Sequence, residues 1–252
     1  MGKADLHIHS TYSHDGTATV PAILDYVKYQ TDLDVIAITD HDAIGGALEA
    51  VELAPRYGLE VVPGTEVSTA DGHLLALFVT ELVPRDMSLL DTVICVGEMG
   101  GLCVAPHPCG RWQGCLNERA IRAVLADQEA QDTLVGIESY NASLLQLRDN
   151  RRSAALADRL QLSQVGNSDA HLLAMIGRGA TRFPGANAEA LRLALDRKWT
   201  EPLASGRPWH YIPSYLVQRT FRRLGFADGT AAAPAKSSSL RRLIASDPNA
   251  VR

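Results

Sequence analysis

The stretch Asp5-Leu6-His7-Ile8-His9-Ser10-Thr11-Tyr12-Ser13-His14-Asp15-Gly16 decides how the rest of the chain is read. Leu6 and Ile8 alternate with Asp5, His7 and His9, the period of a strand with one buried face. His7 and His9 then project to the same side at the strand's C-terminal end. Two imidazoles that close repel if both are protonated and waste two polar heads if buried unpaired. A shared divalent cation removes both problems, because neutral imidazole is a ligand for zinc, manganese and iron. Two half-exposed histidines at a strand end would give the same pattern, so the pair needs support from elsewhere.

Outward from that strand, helix and strand patterns alternate. Thr19 and Pro21 open a helix through about Gln30, and Asp34 to Thr39 is a short apolar run of buried-strand type. A helix over Gly46 to Tyr57 is capped by Gly58. A strand at Leu59 to Val62 follows, then an apolar segment from His73 to Val79. Helices are expected over Met87 to Met99, Asn117 to Asp127, Ser143 to Leu162 (with Leu144, Leu147, Arg151, Leu156 and Leu160 as landmarks) and Asn187 to Leu195. Strands are expected at Leu102 to Ala105, Leu134 to Glu138, Gln164 to Asn167 and Ala180 to Phe183. Such alternation argues for parallel β-α units, which put strand C-termini and their loops around one mouth when closed into a barrel.

The ligand types cluster where those strands end. Thr39-Asp40-His41-Asp42 closes the second strand, Gly64-Thr65-Glu66 the third, and His73 begins the next apolar run. Pro106-His107-Pro108 and Ser168-Asp169-Ala170-His171 close two later ones. Seven of the eight histidines, all but His210, lie at strand ends or a strand start. Histidines scattered at random would fall on helices and tails too. Seven histidines with Asp15, Glu66 and Asp169 exceed the needs of one ion, which takes three protein ligands and an open position. They point to two or three ions with a bridging carboxylate, an arrangement that holds an attacking hydroxide and phosphoryl oxygens together. Asp40 and Asp42 either orient His41 or cap the following helix. Glu138 ends a strand and either bonds a ligand or binds metal itself. Cys109 lies near His107, but with no helper base it reads as a small buried thiol.

Composition bounds the rest. With 252 residues and 46% hydrophobic content the chain can build a large α/β core. Its net charge of −5 hides an asymmetry: residues 207–252 carry eight Lys/Arg against Asp228 and Asp247, and the preceding 206 carry 16 Lys/Arg against 27 Asp/Glu. An acidic body does not indicate nucleic-acid binding, although nucleic acid remains an admissible substrate. No apolar run reaches membrane-spanning length, no signal-peptide pattern precedes the first strand, and the four cysteines show no C-x-x-C spacing, so a reduced, cytoplasmic protein is expected. Residues 1–205 are expected to form the barrel. Residues 206–252 would be a basic extension with an amphipathic helix at Tyr211 to Leu224 and a flexible linker at Ala227 to Ser239.

The motif set resembles the PHP (polymerase and histidinol phosphatase) family. The matching elements are D-L-H-I-H-S…D-G at Asp5 to Gly16, T-D-H-D at Thr39 to Asp42, G-T-E at Gly64 to Glu66, G-H at Gly72 to His73, P-H-P at Pro106 to Pro108, and S-D-A-H at Ser168 to His171. A closing segment at Ile176 to Phe183 completes the order. The resemblance implies an α/β fold, a distorted (β/α)7 barrel, and a metal-dependent phosphoesterase. It implies three divalent ions, of manganese, zinc or iron. One would be held by His7, His9, Glu66 and Asp169, a second by Glu66, His73 and His107, and a third by Asp15, His41 and His171. Many relatives carry the aspartate where this chain has His14, and Asp15 is preferred as the ligand.

The expected reaction is attack of a metal-bound hydroxide on a phosphate ester, with Asp15, His41 and His171 at the catalytic centre and Arg178, and less so Arg111, binding the phosphate. The substrate would be a phosphorylated small molecule, a nucleotide or an oligonucleotide end. Two other classes stay open: a non-catalytic metal-binding module, which a missing ligand would favour, and a metal-dependent C–N hydrolase on a similar barrel, which often uses a modified lysine that no strand end here supplies.

Overall fold

The computed structural model describes residues 1–110, 114–143 and 149–205. Arg111, the Leu144 and Leu147 part of the expected long helix, and residues 206–252 with their expected helix and linker lie outside the described residues. Nine strands form one sheet: β1 (Gly2–Ile8), β2 (Val35–Ile38), β3 (Glu60–Thr69), β4 (Gly72–Leu77), β5 (Leu102–Ala105), β6 (Leu134–Asn141), β7 (Ser163–Asn167), β8 (Gly179–Phe183) and β9 (Glu201–Ala204). Their spatial order is β7-β6-β5-β4-β3-β2-β1-β8-β9. Six helices are described: α1 (Val20–Gln30), α2 (Gly45–Tyr57), α3 (Leu89–Glu98), α4 (Glu118–Leu125), α5 (Asn150–Leu160) and α6 (Ala188–Arg197).

Local chemistry sets the element ends. Pro21 sits in the first turn of α1, and Gly58 closes α2 with φ 63. Ser88, Asn117 and Asn187 cap α3, α4 and α6 by accepting from the backbone N–H three residues on.

The sheet curls into a nearly closed barrel. β1 and β7 close it through side chains rather than a continuous ladder. Asn167 Oδ1 accepts from the Leu6 N–H (2.9 Å), and Asp5 accepts from the Ser168 N–H (3.0 Å). Past the strand ends, the His9 N–H donates to the Ala170 carbonyl and the Ala170 N–H to the His7 carbonyl. Strands β1 to β8 all contribute to one buried cluster, from Ala4 and Leu6 round to Val165 and Phe183, which is the filling of the barrel. Leu191, Ala194 and Leu195 of α6 join it and stopper the end at which the parallel strands begin. The other mouth is left for polar side chains.

Two expectations need correction. The units are not uniformly parallel, because β4 runs antiparallel to both β3 and β5. Nor does the third strand end at Val62. It continues to Thr69 and folds onto β4 as a hairpin, so Glu66 lies within a strand. Gly64 permits this: a Cβ there would come 2.6 Å from the Ala76 carbonyl oxygen, so a side chain would force the hairpin strands apart. The reversal places His73, at the start of β4, on the same mouth as the C-terminal ends of the parallel strands. Strand β9, which pairs with β8, has no distinct apolar signature in the sequence. Among the described residues no helix is long and apolar enough to cross a membrane.

Candidate metal centre

Glu66 is the hub of the open mouth, and it is almost wholly buried. Its Oε2 lies 3.1 Å from His7 Nε2, 3.4 Å from His9 Nε2 and 3.3 Å from His41 Nδ1. Its Oε1 lies 3.0 Å from His73 Nδ1 and 3.3 Å from His107 Nε2. Strand β1 with the residue after it, strand β4 and the segments following β2 and β5 supply these rings, so residues a hundred positions apart meet on one carboxylate of β3.

Two further carboxylates complete the ring of acids. Asp169 Oδ1 is 3.4 Å from His9 Nε2 and 3.6 Å from both His7 Nε2 and His171 Nδ1. Asp15 Oδ2 is 3.0 Å from His171 Nε2 and 3.5 Å from His41 Nε2. His14 points elsewhere: its side chain is 73% exposed against 11% for Asp15, and its Nε2 stays 3.8 Å from Asp15 Oδ2. All nine residues expected as ligands (His7, His9, Asp15, His41, Glu66, His73, His107, Asp169 and His171) are therefore at one mouth. They form four overlapping groups whose ligand atoms lie within 4.8 Å of one another: His9-Asp15-His41-His171, His7-His9-Glu66, His7-His107-Asp169 and His41-Glu66-His73.

The electrostatics match a cation site. Burial alone would suppress the charge on His7, but Glu66, Asp169 and Glu138 outweigh it and hold that imidazole's pKa well above its ordinary value. Burial likewise opposes the charge on His41, and Glu66 and Asp15 overcome it, raising its pKa to about 9. Glu66 and Asp169 would be driven up by burial, yet the surrounding imidazoles, His7 first, keep both well below the usual carboxylate range. His9 is the exception. Burial and the neighbouring His171 lower it to about 4, and its Nε2 has no hydrogen-bond partner although carboxylate oxygens stand 3.4 Å away on Glu66 and Asp169. A buried ring nitrogen facing two acids without a bond is a group that a cation completes. Mixed imidazole and carboxylate donors suit zinc, manganese and iron(II), so the residues present fit divalent metal.

Behind the ligands stands Glu138, fully buried within β6, which runs three residues past the strand end expected there. It accepts from His7 Nδ1–H (3.0 Å), Asn167 Nδ2 (3.0 Å), the His107 backbone N–H (2.7 Å) and Asn141 Nδ2 (2.8 Å). This fixes which nitrogen of His7 faces Glu66. Asn141 and Asn167 were not singled out from the sequence; Asn167 ended an expected strand, whereas Asn141 lay beyond the expected end of β6 and carried no such hint. Two other sequence expectations are corrected. Asp40 does not orient His41; it accepts from the Ser10 N–H (2.7 Å) and hydroxyl (2.6 Å) and so pins the loop that carries Asp15. Asp42 accepts from the Ser68 N–H (2.7 Å), and α2 begins at Gly45, with Ile44 in the N-cap position and no side-chain cap. Helix geometry left α2 uncapped because Asp42 takes a φ of 50 and turns toward β3 instead.

Arg178 lies after the Asp169–His171 segment. Its Nε donates to the Ala174 carbonyl at 3.2 Å, and its terminal nitrogens have no partner among the described residues. Cys109 behaves as a structural thiol, its pKa pushed up chiefly by burial. Cys115 is the closer sulfur, 3.8 Å from His107 Nδ1.

Comparison with known proteins places this arrangement. A family model described as PHP-associated matches residues 148–198. The chain is 35% identical to the uncharacterized protein MJ1587 of Methanocaldococcus jannaschii over 149 residues, which is 56% of this chain and 82% of that protein. It is 41% identical over 96 residues to the phosphoribosyl 1,2-cyclic phosphate 1,2-diphosphodiesterase of Eggerthella lenta, 36% of each chain. Among solved structures, a Bacteroides vulgatus two-domain protein containing a predicted PHP-like metal-dependent phosphoesterase superposes with a TM-score of 0.68 at 20% identity, covering 87% of this chain and 69% of that one. At that identity the likeness is one of fold.

Proposed function

This chain belongs to the PHP family, and from that premise we propose that it hydrolyses a phosphate ester at a site of three divalent ions. The observation that carries the proposal is the convergence of seven carboxylate- or imidazole-bearing segments, those of Glu66 and Asp169 among them, on one mouth. His7, His9, Glu66 and Asp169 would hold one ion, Glu66, His73 and His107 a second, and Asp15, His41 and His171 a third. Glu66 suits a bridging role because its two oxygens face different sets of rings. Bound divalent ions, of manganese, zinc or iron, supply Lewis acidity, bringing the pKa of a coordinated water toward neutrality and offsetting charge on the phosphoryl oxygens.

The chain's own residues do the remainder. Glu138 holds the His7 Nδ1 proton, so the Nε2 lone pair is presented to the cluster. Asp15, His41 and His171, each partly exposed, form the side of the cluster that a substrate reaches from solvent. Arg178 presents terminal N–H groups that pair with non-bridging phosphate oxygens. The substrate is a phosphorylated small molecule, a nucleotide or an oligonucleotide end. Four free cysteines support a reducing, cytoplasmic setting.

The test combines metal analysis with hydrolysis of an aryl phosphate, histidinol phosphate, nucleoside bisphosphates and short RNA. Turnover that rises with manganese and disappears with a chelator is expected. Metal-replete protein that cleaves no phosphoester would refute the enzyme assignment.

A further inference from the structure

Asp5 is a fully buried carboxylate that belongs to none of the ligand groups at the metal mouth. Burying a carboxylate is costly unless donors take the place of its water. Its partners among the described residues are N–H and O–H groups of the chain itself. Oδ1 accepts from the Ser168 N–H (3.0 Å) and the His7 N–H (3.5 Å), and the Ser168 hydroxyl adds a side-chain bond. Oδ2 accepts from the Gly177 N–H (2.9 Å).

The two oxygens thus hold the backbone beside two different side chains of the site. Ser168 directly precedes Asp169, and Gly177 directly precedes Arg178. The run from Gly177 to Gly179 is anchored on its other sides as well. The Arg178 N–H donates to the Met175 carbonyl (3.0 Å), and its carbonyl accepts from the Ser205 N–H (2.9 Å). Gly179 lies so close to β7 that a Cβ would come 2.0 Å from the Asn167 carbonyl oxygen. What Asp5 adds is the tie from this run to β1, the strand that carries His7.

We propose that Asp5 is a positioning residue for phosphate recognition: through the Gly177 N–H it fixes Arg178 relative to Asp169 and the ligands of β1. The inference rests on the phosphoesterase proposal above and on the phosphate-pairing role given there to Arg178, and it names the residue that aims that side chain. A guanidinium holds phosphate through two parallel donors, so its strength depends on its direction of approach. A displacement of about 1 Å is enough to forfeit much of such an interaction.

The experiment compares wild type, Asp5→Asn, Arg178→Ala and the double variant. The amide of Asp5→Asn keeps the shape of the side chain and one acceptor. With its oxygen toward the Ser168 and His7 donors, it turns its own N–H groups on the Gly177 N–H and releases that segment. Inorganic phosphate is titrated calorimetrically into the manganese-loaded proteins, with aryl phosphate kinetics, metal content and melting temperature measured alongside. Asp5→Asn should keep its metal, bind phosphate about tenfold more weakly and raise KM more than it lowers kcat. In the Arg178→Ala background the same change should shift phosphate affinity by less than about twofold, because the group it aims is gone. Wild-type phosphate affinity in Asp5→Asn, or losses that add in the double variant, overturns the proposal. Loss of metal from Asp5→Asn also overturns it, since the effect would then run through Asp169. If Asp5→Asn does not fold, Gly177→Ala replaces it. A side chain there meets nothing nearer than Leu33 at 3.6 Å, but the φ of 76 disfavours it, and relief of that strain turns the same N–H from Asp5. The same coupling to Arg178→Ala is expected, and independence overturns the proposal. The enzyme assignment fails separately: metal-replete wild type that binds phosphate through Arg178 but cleaves no phosphoester removes the activity and leaves the role of Asp5 standing. Wild type that turns over substrate but binds phosphate equally well without Arg178 does the reverse.

Discussion

Replacing Glu138 with glutamine removes one acceptor oxygen from a fully buried position while keeping the shape of the side chain. Four donors converge on Glu138: two on Oε1, from His7 and Asn167, and two on Oε2, from His107 N–H and Asn141. The amide of Glu138→Gln can satisfy only one pair and turns its own N–H groups toward the other. Each buried donor left unpaired costs about 1–3 kcal/mol, so a loss of roughly 2–5 kcal/mol is expected after partial relaxation. For a chain of this size that corresponds to a fall of about 5–15 °C in Tm. Metal affinity should also weaken, by about 10–100-fold, because His7 loses the partner that fixes its tautomer. Thermal denaturation by circular dichroism, with and without manganese, reads the first effect, and competition with a coloured chelator reads the second. A variant with the wild-type melting temperature and wild-type metal affinity would refute the role given to Glu138.

Other consequences can be checked in the same preparation. His41→Ala and Asp169→Ala should each lose metal and hydrolysis together, read by elemental analysis and aryl phosphate turnover; full rate with full metal in either would remove that residue from the site. Metal uptake should release protons at pH 7.5, because the His41 imidazole, with a pKa raised to about 9, is still protonated there and must be neutral to bind. For the same residue in metal-free protein, the stabilisation conferred by the raised pKa is complete below the unfolded value near 6.5 and is lost as pH rises through about 9. Calorimetry in buffers of different ionisation enthalpy should show this release, and an absence of buffer dependence would contradict it. Gly64→Ala should cost roughly 1–3 kcal/mol through overpacking, since its Cβ meets the Ala76 carbonyl oxygen at 2.6 Å. Wild-type stability by urea denaturation would show that β3 and β4 can separate without penalty.

Much of the candidate site was legible because its residues sit where regular elements stop. His7 and His9 follow strand alternation, and His41, His107, Asp169 and His171 come at the ends of short apolar runs. Gly58, Asn117 and Asn187 marked helix ends by chemistry that acts within a few residues. What stayed hidden depends on long-range pairing. Asp40 and Asp42 have the form of a helix cap, yet their partners Ser10 and Ser68 are 30 and 26 residues away. The β3–β4 hairpin turns on two residues, Ala70 and Asp71; the Asp71-Gly72 pair was a local turn signal, but the polar residues between Val62 and His73 concealed that the strand ran on to meet it. The expected features of residues 206–252, and Arg111, fall outside the described residues.

The sequence by itself determined the alternation of strands and helices and the kinds of ligand available, since both follow from side-chain period and chemistry within short windows. Only the tertiary structure decided how those ligands share acids. The reversal of β4 brings His73 to the same mouth as His7, and the ring of strands sets both oxygens of Glu66 against different imidazoles. It also decided that Asp15 rather than His14 turns inward, because Ser10 and Asp40 pin the loop between them. Those outcomes depend on which strands lie side by side, and no local pattern encodes the neighbour.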